Sequence, residues 1–261
     1  MLHCLKLPVC IALITALGAG TATADDLKDL ARNAKTSVLL LRILDASNRE
    51  LGSGTGFFFS DDGLLVTNHH VVAPAARIEA VSAEGVRHEV LGVLAQDEVN
   101  DLAVLRIATQ GSTPLPLASL DAIDPGERVV VLGGPLGLAG SLSEGIVSAV
   151  RDAAELAPHH PEAEPLLQIT AAISPGSSGS PVLNLEGEVV GVVASQYRVG
   201  QNLNFAVSVA TLRQLLSGIH SDAPAVPLGA ASAPERTAYL RNVAISAALF
   251  VGLFFILRRL K

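Results

Sequence analysis

Between residues 37 and 207 the chain is a succession of apolar runs four to nine residues long, separated by turn signals such as Asp62-Gly63, Glu84-Gly85, Pro125-Gly126 and Glu186-Gly187. Runs this short suit β-strands, because a helix needs ten or more residues to bury a face. They fall into two groups of six. The first covers 37–44, 56–60, 64–67, 77–81, 86–94 and 102–107; the second covers 128–133, 145–150, 167–170, 181–184, 188–195 and 203–207. The pattern predicts an all-β protein of two six-stranded antiparallel β-barrels, at about 36–110 and 125–210, with a cleft between them. Short helices are expected only at 26–34 and 211–217. With 23 Gly and 14 Pro, a helical bundle is excluded.

Charge removes a further class. Residues 25–234 carry 24 acidic and 12 basic side chains, so this surface repels phosphate backbones and no nucleic-acid partner is expected.

The two ends have a different character. Lys6, the apolar stretch 9–17 and Ala22-Thr23-Ala24 have the layout of a secretory signal peptide spanning 1–24. Its cleavage would remove Cys4 and Cys10, the chain's 2 cysteines, leaving no disulfide, thiolate metal site or thiol nucleophile. Near the other end, residues 243–257 run without a charge and are followed by Arg258, Arg259 and Lys261. This reads as a transmembrane helix over 238–257 with a basic cytoplasmic tail at 258–261. The Ala/Pro-rich stretch 218–237 reads as an extended tether. Together these features lead one to expect the domain 25–217 on the outer side of a bacterial inner membrane, in the periplasm or outside, with a single-pass anchor.

Three local sequences carry chemistry, in the order TNHHVV, NDLAVL and GSSGSP. They offer an imidazole base (His69 or His70), a carboxylate (Asp101) and a serine nucleophile (Ser178). A serine hydroxyl becomes a competent nucleophile when an imidazole takes its proton and a carboxylate fixes the imidazole tautomer. Gly176 allows the backbone before Ser178 to turn so that the amides of Gly176 and Ser178 form an oxyanion hole. Histidine precedes aspartate and serine along the chain, which excludes an α/β-hydrolase.

These segments, with GSGTGFFFSDDGLLVTNHHVV, DLAVLRI, GGPLGLAGSLSEGIVSAV, ITAAISPGSSGSPVLNLEGEVVGV and NFAV, resemble the HtrA/Deg branch of the chymotrypsin-like serine proteases over about residues 30–216. The resemblance implies that His70, not His69, is the base, and that Asp101 and Ser178 complete the triad. It implies polypeptide substrates, a role in protein quality control and a homotrimer. It also implies a specificity pocket at Ala172, Ile173, Asn204, Phe205 and Ala206; no acid stands there, so small or medium aliphatic side chains are expected in it. Residues 151–167 correspond to a regulatory loop, and 45–51 to a shortened early loop. No PDZ domain is expected after residue 216.

Two positions depart from the family pattern. Ser177 replaces the aspartate that zymogen-type relatives pair with a new amino terminus. Ser180 replaces a glycine, and its Cβ is expected to crowd the substrate-facing loop. No cofactor and no metal are expected. Residues 52–56 are glycine-rich but lack the lysine of a phosphate loop. His159 and His160, with Glu155, Glu162 and Glu164, read as an exposed acidic loop rather than a metal centre. Phe57, Phe58 and Phe59 read as barrel packing. The leading expectation is a membrane-tethered serine endopeptidase that cuts unfolded or partly unfolded chains. The alternative is a proteolytically silent, trypsin-like peptide-binding scaffold or holdase.

Overall fold

A computed structural model describes residues 24–229, apart from 110, 120–122, 135–139, 153–154, 156–161, 197–202 and 221–222. Residues 1–23 of the expected signal peptide, the expected transmembrane helix and basic tail, and the histidines at 159 and 160 lie outside the described residues. No helix among the described residues is long and apolar enough to cross a membrane.

Helix α1 (Ala24–Ala34) leads through a 3-10 turn into the first barrel, formed by β1 (Val38–Leu44), β2 (Glu50–Phe58), β3 (Leu64–Thr67), β4 (Arg77–Ser82), β5 (Arg87–Asp97) and β6 (Leu102–Ile107). The second barrel is β7 (Arg128–Gly133), β8 (Ser141–Arg151), β9 (Leu166–Ile169), β10 (Pro181–Leu183), β11 (Val189–Gln196) and β12 (Asn204–Ser208). Each closes as an antiparallel barrel, in the orders β1-β2-β3-β6-β5-β4 and β10-β11-β12-β9-β8-β7. Helix α2 (His69–Val72) sits between β3 and β4, and helix α3 (Val209–Ser217) follows β12, started by the Ser208 hydroxyl accepting from the Thr211 amide.

Strands β3, β6, β7 and β10 read as continuous apolar runs because both faces are buried. In β6, Leu102 and Val104 face the junction between the barrels, whereas Ala103, Leu105 and Ile107 fill the first barrel. In β7, Val130 and Leu132 face the same junction, while Val129 and Val131 fill the second barrel. The alternation of side chains along each strand therefore builds three apolar layers from two sheets. The middle layer also takes in Leu30 and Ala34 of α1 and Leu212 of α3.

Three expectations need correction. Strand β2 begins at Glu50, not at residue 56: its polar GSGTG stretch pairs with β1 (Ile43 with Gly52, Leu41 with Gly54), and the expected early loop shrinks to a tight turn between Asp45 and Arg49. The tether reading fails for its middle part. Val226 instead pairs with Val93 of β5, exchanging two backbone hydrogen bonds of 2.7 and 2.8 Å, and Leu228 packs against the first barrel's core. Ala/Pro composition signals an extended backbone, but extended backbone also suits a strand edge with alternating apolar side chains. The third correction concerns Ser180, which is fully buried and faces Gly133 rather than the cleft.

Candidate active site

Asn68 follows β3 and stands at the N-cap of α2, whose Val71 and Val72 are buried in the first barrel. That anchors His70 at the barrel edge. Asp101 lies just before β6, which pairs with β3 so that Thr67 is opposite Ala103. Sheet register thus brings the two residues together. Asp101 Oδ2 is 2.7 Å from His70 Nδ1, and its Oδ1 accepts the His70 backbone N–H at 2.9 Å. One carboxylate holds the base by ring and by backbone, so Nε2 is the ring nitrogen left to act.

Asp101 adopts a left-handed backbone, φ 54°, unusual for a residue with a Cβ. Asn68, fully buried, supports it by donating Nδ2–H to the Asp101 carbonyl at 2.8 Å. On the other side, Asn100 donates to Asp97 Oδ2 at 2.7 Å and accepts from the Glu164 amide at 2.9 Å. The expected regulatory loop therefore touches the residue next to the acid.

The nucleophile loop is a pair of tight turns. Ser177 N–H donates to the Ser174 carbonyl at 2.8 Å and Ser180 N–H to the Ser177 carbonyl at 3.0 Å. Ser177 is turned inward, and its hydroxyl accepts the Ser174 amide at 3.2 Å, so the residue that replaces the zymogen aspartate serves as a turn staple. Gly176 has φ 96°. No hydrogen bond with a described residue engages the amides of Gly176 or Ser178, as an oxyanion hole requires.

Ser178 is half-buried and lies across Gly54 from Val71, the residue after His70. A Cβ on Gly54 would stand 2.7 Å from the Val71 side chain and 3.4 Å from the Ser178 carbonyl. The Ser178 hydroxyl makes no hydrogen bond with another described residue; in unliganded sites such contacts are often long.

Of the residues expected to line a specificity pocket, Ala172 is exposed, while Ile173 and Ala206 belong to the second barrel's core. Phe205 is buried. Asn204 is 2% exposed, donates to the Ala171 carbonyl at 2.7 Å and leaves Oδ1 without a partner among the described residues. Among the described residues no group of three or more metal-ligating side chains is gathered. Asn68 and Thr55 escaped the sequence reading, although each lies inside a quoted motif; Thr55 could have been found as a lone polar side chain between Gly54 and Gly56, whereas Asn68 stands between Thr67 and His69 with no such signal.

Two antiparallel barrels meeting at a histidine–aspartate pair and a loop serine define the architecture of a chymotrypsin-type serine protease. The chain belongs to the trypsin-like peptidase domain family, whose model matches residues 54–192. Its relatives are HtrA serine proteases. It is 38% identical over 195 residues to the mitochondrial serine protease HTRA2 of Bos taurus, covering 72% of this chain and 42% of that one. It is 34% identical over 192 residues to serine protease HTRA1 of Xenopus laevis, covering 72% and 41%. The chain thus spans about two fifths of the length of these relatives. A crystal structure of the serine endoprotease from Yersinia pestis superposes with a TM-score of 0.64 at 25% identity, covering 76% of this chain and 67% of that one.

Proposed function

We propose that the chain is a serine endopeptidase that cleaves unfolded or partly unfolded polypeptides from a membrane-tethered position outside the cytoplasm. The observation that carries this reading is the doubly held His70–Asp101 pair, with Val71 and the Ser178 carbonyl both lying against Gly54. In the first step Ser178 Oγ bonds to the scissile carbonyl carbon while its proton passes to His70 Nε2. The amides of Gly176 and Ser178 receive the negative charge that develops on the carbonyl oxygen. His70 then gives the proton to the leaving nitrogen as the C–N bond breaks, which leaves an acyl-serine that water hydrolyses by the same route. No acidic residue stands among the expected pocket positions Ala172, Ile173, Asn204, Phe205 and Ala206, which suits small or medium aliphatic side chains at the cleavage position.

A second reading, a silent peptide-binding scaffold, draws on the Ser178 hydroxyl's lack of a hydrogen bond to the base among the described residues. One experiment separates the two. The purified chain is incubated with a fluorophosphonate probe and with unfolded casein. Labelling at Ser178 with casein turnover is expected; Ser178→Ala and His70→Ala should lose both, by several orders of magnitude in rate, and His69→Ala much less. Casein bound but neither cut nor accompanied by labelling would establish the scaffold.

A further inference from the structure

The polar groups that fix the nucleophile loop do not all come from its own barrel. Thr55 lies in β2 of the first barrel, fully buried, between Gly54 and Gly56. Its N–H donates to the Ser178 carbonyl at 2.8 Å, and its hydroxyl donates to the Gly176 carbonyl at 2.8 Å. The same hydroxyl oxygen accepts the Gly134 amide at 3.2 Å, and the Thr55 carbonyl accepts the Thr67 hydroxyl at 2.7 Å. Each polar atom of Thr55 is therefore engaged, and three of its four bonds cross to the second barrel.

Their placement matters more than their number. The carbonyls of Gly176 and Ser178 belong to the two residues whose amides must point into the cleft. Gly176, with φ 96° and no side chain, has wide torsional freedom, and nothing in its own side chain sets the peptide plane that follows it. The backbone N–H of Thr55 would brace Ser178 whatever residue stood at 55. Only a hydroxyl there braces Gly176.

We propose that Thr55 is a positioning residue whose hydroxyl, reaching across the barrel junction, holds the Gly176 backbone so that the oxyanion hole is formed before substrate arrives. The proposal rests on the catalytic reading above and adds a specificity of chemistry at position 55: a hydroxyl is required, a methyl is not. Loss of the hydroxyl frees the Gly176 carbonyl, and the transition state loses a fixed donor while ground-state binding is largely retained.

The test compares the parent chain with Thr55→Ser, Thr55→Ala and Thr55→Val. Measured are the rate of fluorophosphonate labelling at Ser178, kcat and KM on a peptide substrate, and the circular dichroism of each chain. Expected are labelling and kcat within about threefold of the parent for Thr55→Ser. For the Ala and Val chains, native spectra are expected with a loss of about tenfold to a hundredfold in both rates and a KM changed by less than about threefold. The proposal is overturned if Thr55→Val labels like the parent, if Thr55→Ser is as slow as Thr55→Ala, if the loss falls on KM, or if the chains without the hydroxyl fail to fold. An unlabelled parent chain sinks the catalytic reading itself, whereas a labelled parent with any of those four outcomes sinks this inference alone.

Discussion

Ser180 carries a fully buried hydroxyl with no hydrogen-bond partner among the described residues, and Gly133 is what makes room for it: a Cβ at 133 would sit 2.1 Å from Ser180 Oγ. The two positions are therefore coupled. Gly133→Ala should destabilise the chain by about 1–3 kcal/mol, and the same change in a Ser180→Gly background should cost distinctly less. Equal costs in denaturant titrations of both backgrounds would show that the contact is relieved elsewhere. A second residue-scale effect lies at the β1–β2 turn. Asp45 is held at about 2, below the usual 3.8, by the Ser47 hydroxyl at 2.7 Å, the Arg49 and Ser47 amides at 2.9 and 2.8 Å, and the Arg49 charge. A carboxyl whose folded value is depressed adds stability above its unfolded value, and that stability is lost as pH falls toward the folded one. The stability gap between the parent and Asp45→Asn should thus be present at neutral pH and close between about pH 4 and 2. A gap that stays constant over that range would contradict the assignment.

At the scale of elements, β3, β6 and β7 were legible to the residue, because their apolar runs end at turn signals on both sides. The site elements were less so. Helix α2 is four residues long, and its HHVV sequence looks like the end of a strand; only Val71 and Val72 packing into the barrel make it helical. The pairing of His70 with Asp101 came from motif order, but the left-handed turn at Asp101 and the Asn68 clamp depend on the β3–β6 register, which no local sequence encodes. The Val226 bridge was hidden for the same reason, its partner lying more than a hundred residues upstream. It offers a clean test. Val226→Pro removes the N–H that donates to the Val93 carbonyl at 2.7 Å. Hydrogen exchange at the Val93 amide should accelerate by about tenfold or more while global stability changes by about 1 kcal/mol or less. Unchanged exchange at Val93 would mean that side-chain packing alone holds the segment.

For the whole molecule, the apolar layer between the barrels is continuous with α1 and α3, so the catalytic cleft lies along the edge of a solid junction rather than at a hinge. The proposed topology belongs at this scale. Protease added to spheroplasts should digest the catalytic domain and spare a small C-terminal fragment, and truncation before Val243 should release a soluble chain that still labels at Ser178. A truncated chain that stays with the membrane, or a catalytic domain sheltered from external protease, would reverse the proposed orientation. The docked segment around Val226 changes what such an anchor means mechanically. Gly229 follows Leu228, which packs against the barrel that carries His70, so only about eight residues separate Gly229 from the start of the proposed span at 238. Fully stretched, they reach about 25–30 Å. On so short a leash the cleft would sweep a shell close to the bilayer, and any pull on the anchor would be borne first by the two hydrogen bonds at Val93.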